Sequence, residues 1–228
     1  MMTRKALDAQ LHTLRNELRD LGEWVAQAAR DAMEALKRQD LVAARRIYEH
    51  DQVINAKRYA IEQQTLITIA TQQPLAHDLR FLASVLDIAG ELERMGDYAK
   101  GVAKITLLVG QEPLLKPLID LPRMTDLATD MLHRALDAFL RGDVEAARRI
   151  PSEDDQIDAL YNQIYRELIA IMLQRPQAID QANYLMWAAH NIERFADRVT
   201  NICERTIFTV TGEMVELDAT NDLPTARQ

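Results

Sequence analysis

The chain has 228 residues, 48% of them apolar, and a formal net charge of −8. That length carries one large domain or two small ones, and the acidic balance excludes a generic nucleic-acid binder. The one cysteine, Cys203, excludes an internal disulfide and fits a reducing compartment.

Breakers are scarce, with 7 glycines and 7 prolines, and Ala, Leu, Arg, Glu and Gln dominate, so an all-α protein is predicted. The N-terminal MMTRKALDAQ carries charges where a signal peptide needs an apolar run. The first helix is predicted over residues 4–37, the second over 41–71 and the third over 75–109, with breaks at Arg38-Gln39-Asp40 and Gln72-Gln73-Pro74. GQEPLLKPLIDLP, residues 110–122, holds three prolines that oppose continuing the helix. Three more helices follow over 123–140, 144–174 and 177–209, separated by Arg141-Gly142-Asp143 and Arg175-Pro176. Pro151 lies inside the fifth and predicts a kink or a fresh start there. The tail from Gly212 has no helical period. No stretch approaches the ~20 uninterrupted apolar residues of a membrane span. A cytoplasmic protein is expected, peripheral to a membrane only through partners.

The second half repeats the first. Val85, Ile88, Leu92, Met95, Ala99, Val102, Thr106 and Val109 alternate in steps of three and four, the seam of a packed helix. Adding one hundred gives Leu185, Ala188, Ile192, Phe195, Val199, Ile202, Thr206 and Thr209, the same seam. AARRI at residues 43–47 recurs at 146–150, and Ile47, Ile54 and Ile61 return as Ile150, Ile157 and Ile164. Short connections make neighbouring helices antiparallel. The expected fold is therefore two tandem, pseudo-symmetric, up-down-up three-helix bundles, over residues 1–112 and 113–212, followed by a flexible tail at 213–228.

Four pairs of oxygen donors ride on the repeat, each four residues apart: Asp51 and Asn55, Glu93 and Asp97, Asp154 and Asp158, Glu193 and Asp197. That spacing puts both members on one stripe of a helix, about 5–6 Å apart at Cβ, where like charges repel. Glu93 and Asp97 fall opposite the Leu92 seam, so all four pairs are expected on the outer face. Carboxylate and amide oxygens are hard donors, suited to Mg, Mn, Ca or ferric iron. The same spacing also occurs on ordinary solvated helices, with Arg94 and Arg194 at hand to neutralise it. His190 stands one turn before Glu193 and could join that pair, though it and His50 read as surface histidines.

Other chemistry is missing. Inward Glu-x-x-His pairs of a di-metal oxidase are absent, as are phosphate-binding G-x-x-x-x-G-K-[ST], G-x-G-x-x-G and G-x-S-x-G. A metal store or metal-dependent hydrolase would lack an assignable general base.

ELERMGDYAKGVAKI and NIERFADRVTNICERTIF resemble the paired signatures of the PhoU family of phosphate-transport accessory and regulatory proteins. PLAHDLRFL resembles the segment before the first signature, and EHDQVIN and EDDQIDALY resemble its helix-two motifs. The resemblance implies a non-enzymatic cytoplasmic regulator, expected as a homodimer. It would act between a phosphate ABC transporter and a sensor histidine kinase and repress the phosphate-starvation response. It further implies metal ions as cofactors, among iron, zinc, manganese and magnesium, held by Asp51, Asn55, Glu93, Asp97, Asp154, Asp158, Glu193 and Asp197. Asn55 departs from the pattern by one negative charge. A metal-free helical scaffold and an accessory protein of another phosphate permease are the rival readings.

Overall fold

The computed structural model describes residues 2–217. The described residues are helical throughout, without a strand. α1 (Met2–Arg38), α2 (Leu41–Gln72) and α3 (Ala76–Val109) form the first copy. α4 (Asp120–Arg141), α5 (Val144–Arg149), α6 (Asp154–Gln174) and α7 (Ile179–Thr211) form the second. α5 and α6 are one rod interrupted by a 3-10 turn, Ile150–Glu153, with Pro151 in its first turn. The fresh helix start expected at that proline is therefore present: its missing N–H breaks the ladder, and the tighter turn absorbs the break.

Both helix-one to helix-two corners are built alike. The first passes through Gln39 at φ 54° and the second through Gly142 at φ 70°, both left-handed. In each, the next residue is an aspartate that caps the new helix. Asp40 accepts from the Val42 and Ala43 N–H groups, and Asp143 from that of Ala146. Gln39, which bears a Cβ in that region, is further held by its side-chain amide donating to the Gly110 carbonyl at 3.1 Å. The proline-rich connector is tied down by the buried Gln181: its Oε1 accepts from Leu115 N–H at 2.7 Å and its Nε2 donates to the Pro113 carbonyl at 3.1 Å.

Every position of the two duplicated seams is buried, from Val85 to Val109 on α3 and from Leu185 to Thr209 on α7. These two helices form the most extensive contact in the molecule, running antiparallel. Asp87 faces Arg205 at 3.2 Å, the Asn201 amide donates to Glu91 at 3.1 Å, and Arg194 is hydrogen-bonded to Tyr98. The numbers rise on one helix as they fall on the other, so the pairing follows the pseudo-twofold relation between the copies. The buried apolar side chains of both copies form one continuous cluster, with α1 also packed on α4. Beyond α7, the Leu217 N–H donates to Glu204 at 2.9 Å. The rest of the tail, residues 218–228, lies outside the described residues. Among those described, no helix is long and apolar enough to cross a membrane.

Candidate metal centres

α2 lies against α3 in the first copy, and α6 against α7 in the second. In each copy this brings acids of the two helices within electrostatic reach of one another: Asp51 with Glu93 and Asp97, and Asp158 with Glu193 and Asp197. Asp51 and Asn55 on α2 meet Glu93 and Asp97 on α3: Asn55 Nδ2 donates to Asp51 Oδ2 at 3.2 Å, and Lys100 Nζ lies 2.6 Å from Asp51 and 3.5 Å from Asp97. The Glu93 carboxyl is held above its usual range by burial first, then by the charges of Asp97 and Asp51. In the second copy Glu193 is pushed up to about 7, by burial, then by Asp197 and Asp158. Asp154 precedes Asp158 by one turn on α6.

The expectation that these donors lie on the outer face holds for Asp97 and Asp158, which are exposed, and is corrected for the rest. Asp51 is only 3% exposed, the Glu193 side chain only 21%, and Asn55, Glu93, Asp154 and Asp197 are half-buried. α3 packs on α1, α2 and α7, so the side away from its seam is covered by α2 instead of water. Gly96 permits the close approach: a Cβ there would stand 3.1 Å from Ile54. Of the two histidines read as surface, both are exposed, yet His190 does reach its neighbour: Nδ1 lies 3.1 Å from Glu193 Oε2, at an angle that makes no hydrogen bond.

Sequence spacing missed the cations. Arg58 from α2 acts on Glu93, Arg198 from α7 on Glu193, and Lys100 bridges Asp51 and Asp97. The signal available was the break in the repeat: Lys100 corresponds to Thr200, which is buried. The first group thus contains its own ammonium and the second does not. Beside Asp51 and Lys100 a cavity of about 490 Å³ opens between α1 and α2, walled by Trp24, Ala35, Ile47 and His50. The corresponding place in the second copy is filled by Arg134, which grips Glu153 with two bonds of 2.7 and 2.6 Å.

The PhoU domain matches this chain twice, over residues 18–106 and 121–206. The chain belongs to the PhoU family. A phosphate-specific transport system accessory protein PhoU homolog of Clostridium acetobutylicum is 33% identical over 95% of this chain and 100% of its own. The PhoU of that name from Escherichia coli is 35% identical over 90% of this chain and 86% of its own. The crystal structure of the phosphate transport system regulatory protein PhoU from Streptococcus pneumoniae superposes with a TM-score of 0.86 at 34% identity, covering 92% of this chain and all of that one. That of PhoU from Pseudomonas aeruginosa gives 0.84 at 30% identity over 90% and 99%. The tandem bundles expected from the duplicated seams are thus the PhoU architecture.

Whether a cation suits these PhoU motifs is decided by the donors themselves. Among the described residues no three His, Cys, Asp or Glu side chains close into a metal cage. Asp51 Oδ1, Asn55 Oδ1 and Glu193 Oε2 are nevertheless buried oxygens without a hydrogen-bond donor, which is how an acceptor waits for a cation. In the first group Lys100 already supplies positive charge. In the second, a carboxyl raised to about 7 beside two further acids fits a hard divalent ion better.

Proposed function

We propose that this protein is a non-enzymatic accessory regulator of a phosphate-specific transport system. The observation that carries this is its membership of the PhoU family through two copies of the domain, with relatives named as accessory proteins of phosphate-specific transport over nearly the whole chain. On this reading it works in the cytoplasm as a homodimer at a phosphate ABC transporter. When phosphate is plentiful it restrains the transporter's sensor histidine kinase and so the phosphate-starvation response. The test is deletion and complementation. Loss of the gene should switch on a starvation reporter in phosphate-rich medium, and the wild-type chain should restore silence. A reporter unaffected by deletion would remove the regulatory role.

A metal-binding role attaches to the acidic groups. Glu193, Asp197, Asp158 and Asp154 would hold a divalent cation that neutralises crowded carboxylates and ties α6 to α7. Asp51, Asn55, Glu93 and Asp97 would do the same for α2 and α3 only if Lys100 moved aside. Elemental analysis of protein purified without chelator checks this. Metal should be present in the wild-type chain and lost from Glu193→Gln with Asp197→Asn. Equal metal in both would displace the site from α7.

A further inference from the structure

α2 has two apolar stripes, and only one of them faces the bundle. Ile54, Ile61, Thr65 and Thr68 are buried against α1 and α3. On the opposite side Val53, Ala56, Ala60, Gln63, Ile67 and Ala70 are all exposed, in steps of three, four, three, four and three. That is the a/d repeat of a coiled-coil seam, over 18 residues or about 27 Å of helix. Tyr59 at 61% and Leu66 at 57% exposure flank it on one side. From Gln52 to Thr71 no exposed residue of α2 is charged. The three charges in that stretch are half-buried and paired: Lys57 with Glu17 on α1, and Arg58 with Glu62, the Arg58 guanidinium also lying 4.9 Å from the centre of the Tyr59 ring.

The second copy keeps only part of this stripe. The positions on α6 that correspond to Val53, Tyr59, Ala60 and Gln63 carry Gln156, Asn162, Gln163 and Arg166, while those of Ala56, Ile67 and Ala70 carry Ala159, Ala170 and Leu173. On α6 the apolar run is thus broken by polar residues in its first half. The continuous stripe is a feature of the first copy.

We propose that this face of α2 pairs with the same face of a second copy of the chain, antiparallel, about a twofold axis near Ile61 and Glu62. The proposal rests on the homodimeric reading given above and adds its face and orientation. Large and small residues are ordered large, small, small, large, large, small from Val53 to Ala70, so that each large one meets a small one only when the stripe is reversed. Val53 then meets Ala70 of the other copy, Ile67 meets Ala56, and Gln63 meets Ala60. A parallel pair would instead stack alanine on alanine in three layers and leave voids. Tyr59 and Leu66 share one flank, and reversal brings Tyr59 of one copy beside Leu66 of the other. Charge does not oppose this occupant at the contact: each copy has a formal net charge of −8, and a face without exposed charges adds no like-charge contacts to that general repulsion. A basic helix or an anionic membrane surface would find neither acidic nor basic partners here.

The test combines a charge and a pair of cysteines. The wild-type chain should sediment as a dimer at micromolar concentration. Ile67→Glu should weaken dimerisation at least roughly tenfold with helicity unchanged, since that side chain is exposed in the monomer. Mild oxidation should cross-link the variant carrying both Val53→Cys and Ala70→Cys into a covalent dimer and leave Val53→Cys alone uncross-linked. Cross-linking of Val53→Cys alone would mean a parallel pair and overturn the orientation. A dimer indifferent to Ile67→Glu would overturn this face while leaving the homodimer intact. A monomer would overturn both, and a monomer in which Ile67→Glu abolishes capture of the transporter would give the stripe to that partner.

Discussion

The Lys100 ammonium lies 2.6 Å from the buried Asp51 carboxylate, and it stands where the second copy has Thr200. The two acidic groups therefore differ both in acid count, with Asn55 where the second has Asp158, and in their counter-charges. Breaking a buried pair strands the other charge in a poorly solvated site. Lys100→Thr should cost about 2–3 kcal/mol in urea denaturation, since the lysine is partly exposed. Adding Asp51→Asn should recover more than half of that loss, because the stranded charge goes with it. Simple additivity of the two losses would show that Lys100 acts through its packing instead.

Glu193 sets a pH dependence of definite sign. Its carboxyl is raised from 4.5 to about 7, by burial and then by Asp197 and Asp158. The folded chain therefore holds a proton there that the unfolded chain has released. The stabilisation is complete below pH 4.5 and is lost as pH rises through about 7. In the chelator-treated, metal-free protein the melting temperature should fall between pH 5 and 8, and Glu193→Gln should flatten that fall, gaining about 1 kcal/mol at pH 8 after allowance for solvent screening. A Gln variant with the wild-type pH profile would contradict this.

The helices and their seams were legible because burial leaves a periodic trace. All sixteen seam positions, from Val85 to Thr209, are buried. So were the corners, since Asp40 and Asp143 are capping residues in capping positions. The depth of the acids was not legible. A heptad assignment gives a residue's angle to its own seam, but α3 is enclosed by three neighbours, and Asp51 on α2 and Glu93 on α3 lose water to the packing of those two helices on each other, which no single helix encodes. The reach of Lys100 to Asp51 and of Arg58 to Glu93 was missed because each crosses from one helix to another. The outward stripe on α2 hid in plain composition: apolar residues on two opposed faces cancel the one-sided pattern that marks an amphipathic helix.

The two copies are locked together by small residues as well as by polar pairs. Gly22 on α1 lies directly against Leu136 on α4, and a methyl group there would fall on the leucine's δ-carbon. Gly22→Val should destabilise the chain by about 2–3 kcal/mol through overpacking. Combined with Leu136→Ala, which empties the same space, the loss should be clearly smaller than the sum of the two single losses. Chemical denaturation of the four proteins measures the coupling. Additive losses would mean that α1 and α4 adjust independently.

Arg134 and Glu153 make the complementary case, a polar plug that can be moved between copies. The two parallel bonds pin α4 to the 3-10 turn at Pro151, and the Arg134 guanidinium holds the Glu153 carboxyl below its usual range, chiefly through its hydrogen bonds. Because that carboxyl is depressed, the pair stabilises the fold above the ordinary carboxylate range, and the gain is lost as pH falls through it. Both side chains are more than a third exposed, so Arg134→Met should cost only about 1 kcal/mol at neutral pH. That cost should shrink in acid. Amide exchange should quicken from Ile150 to Glu153 in the variant, where the turn loses its anchor. In the first copy the corresponding residues are Asp31 and His50, on opposite walls of the open cavity. Installing Asp31→Arg with His50→Glu should bridge those walls and raise the melting temperature, whereas either substitution alone should not. A double variant no more stable than the single ones would show that the cavity, and not the missing ion pair, sets the spacing of α1 and α2.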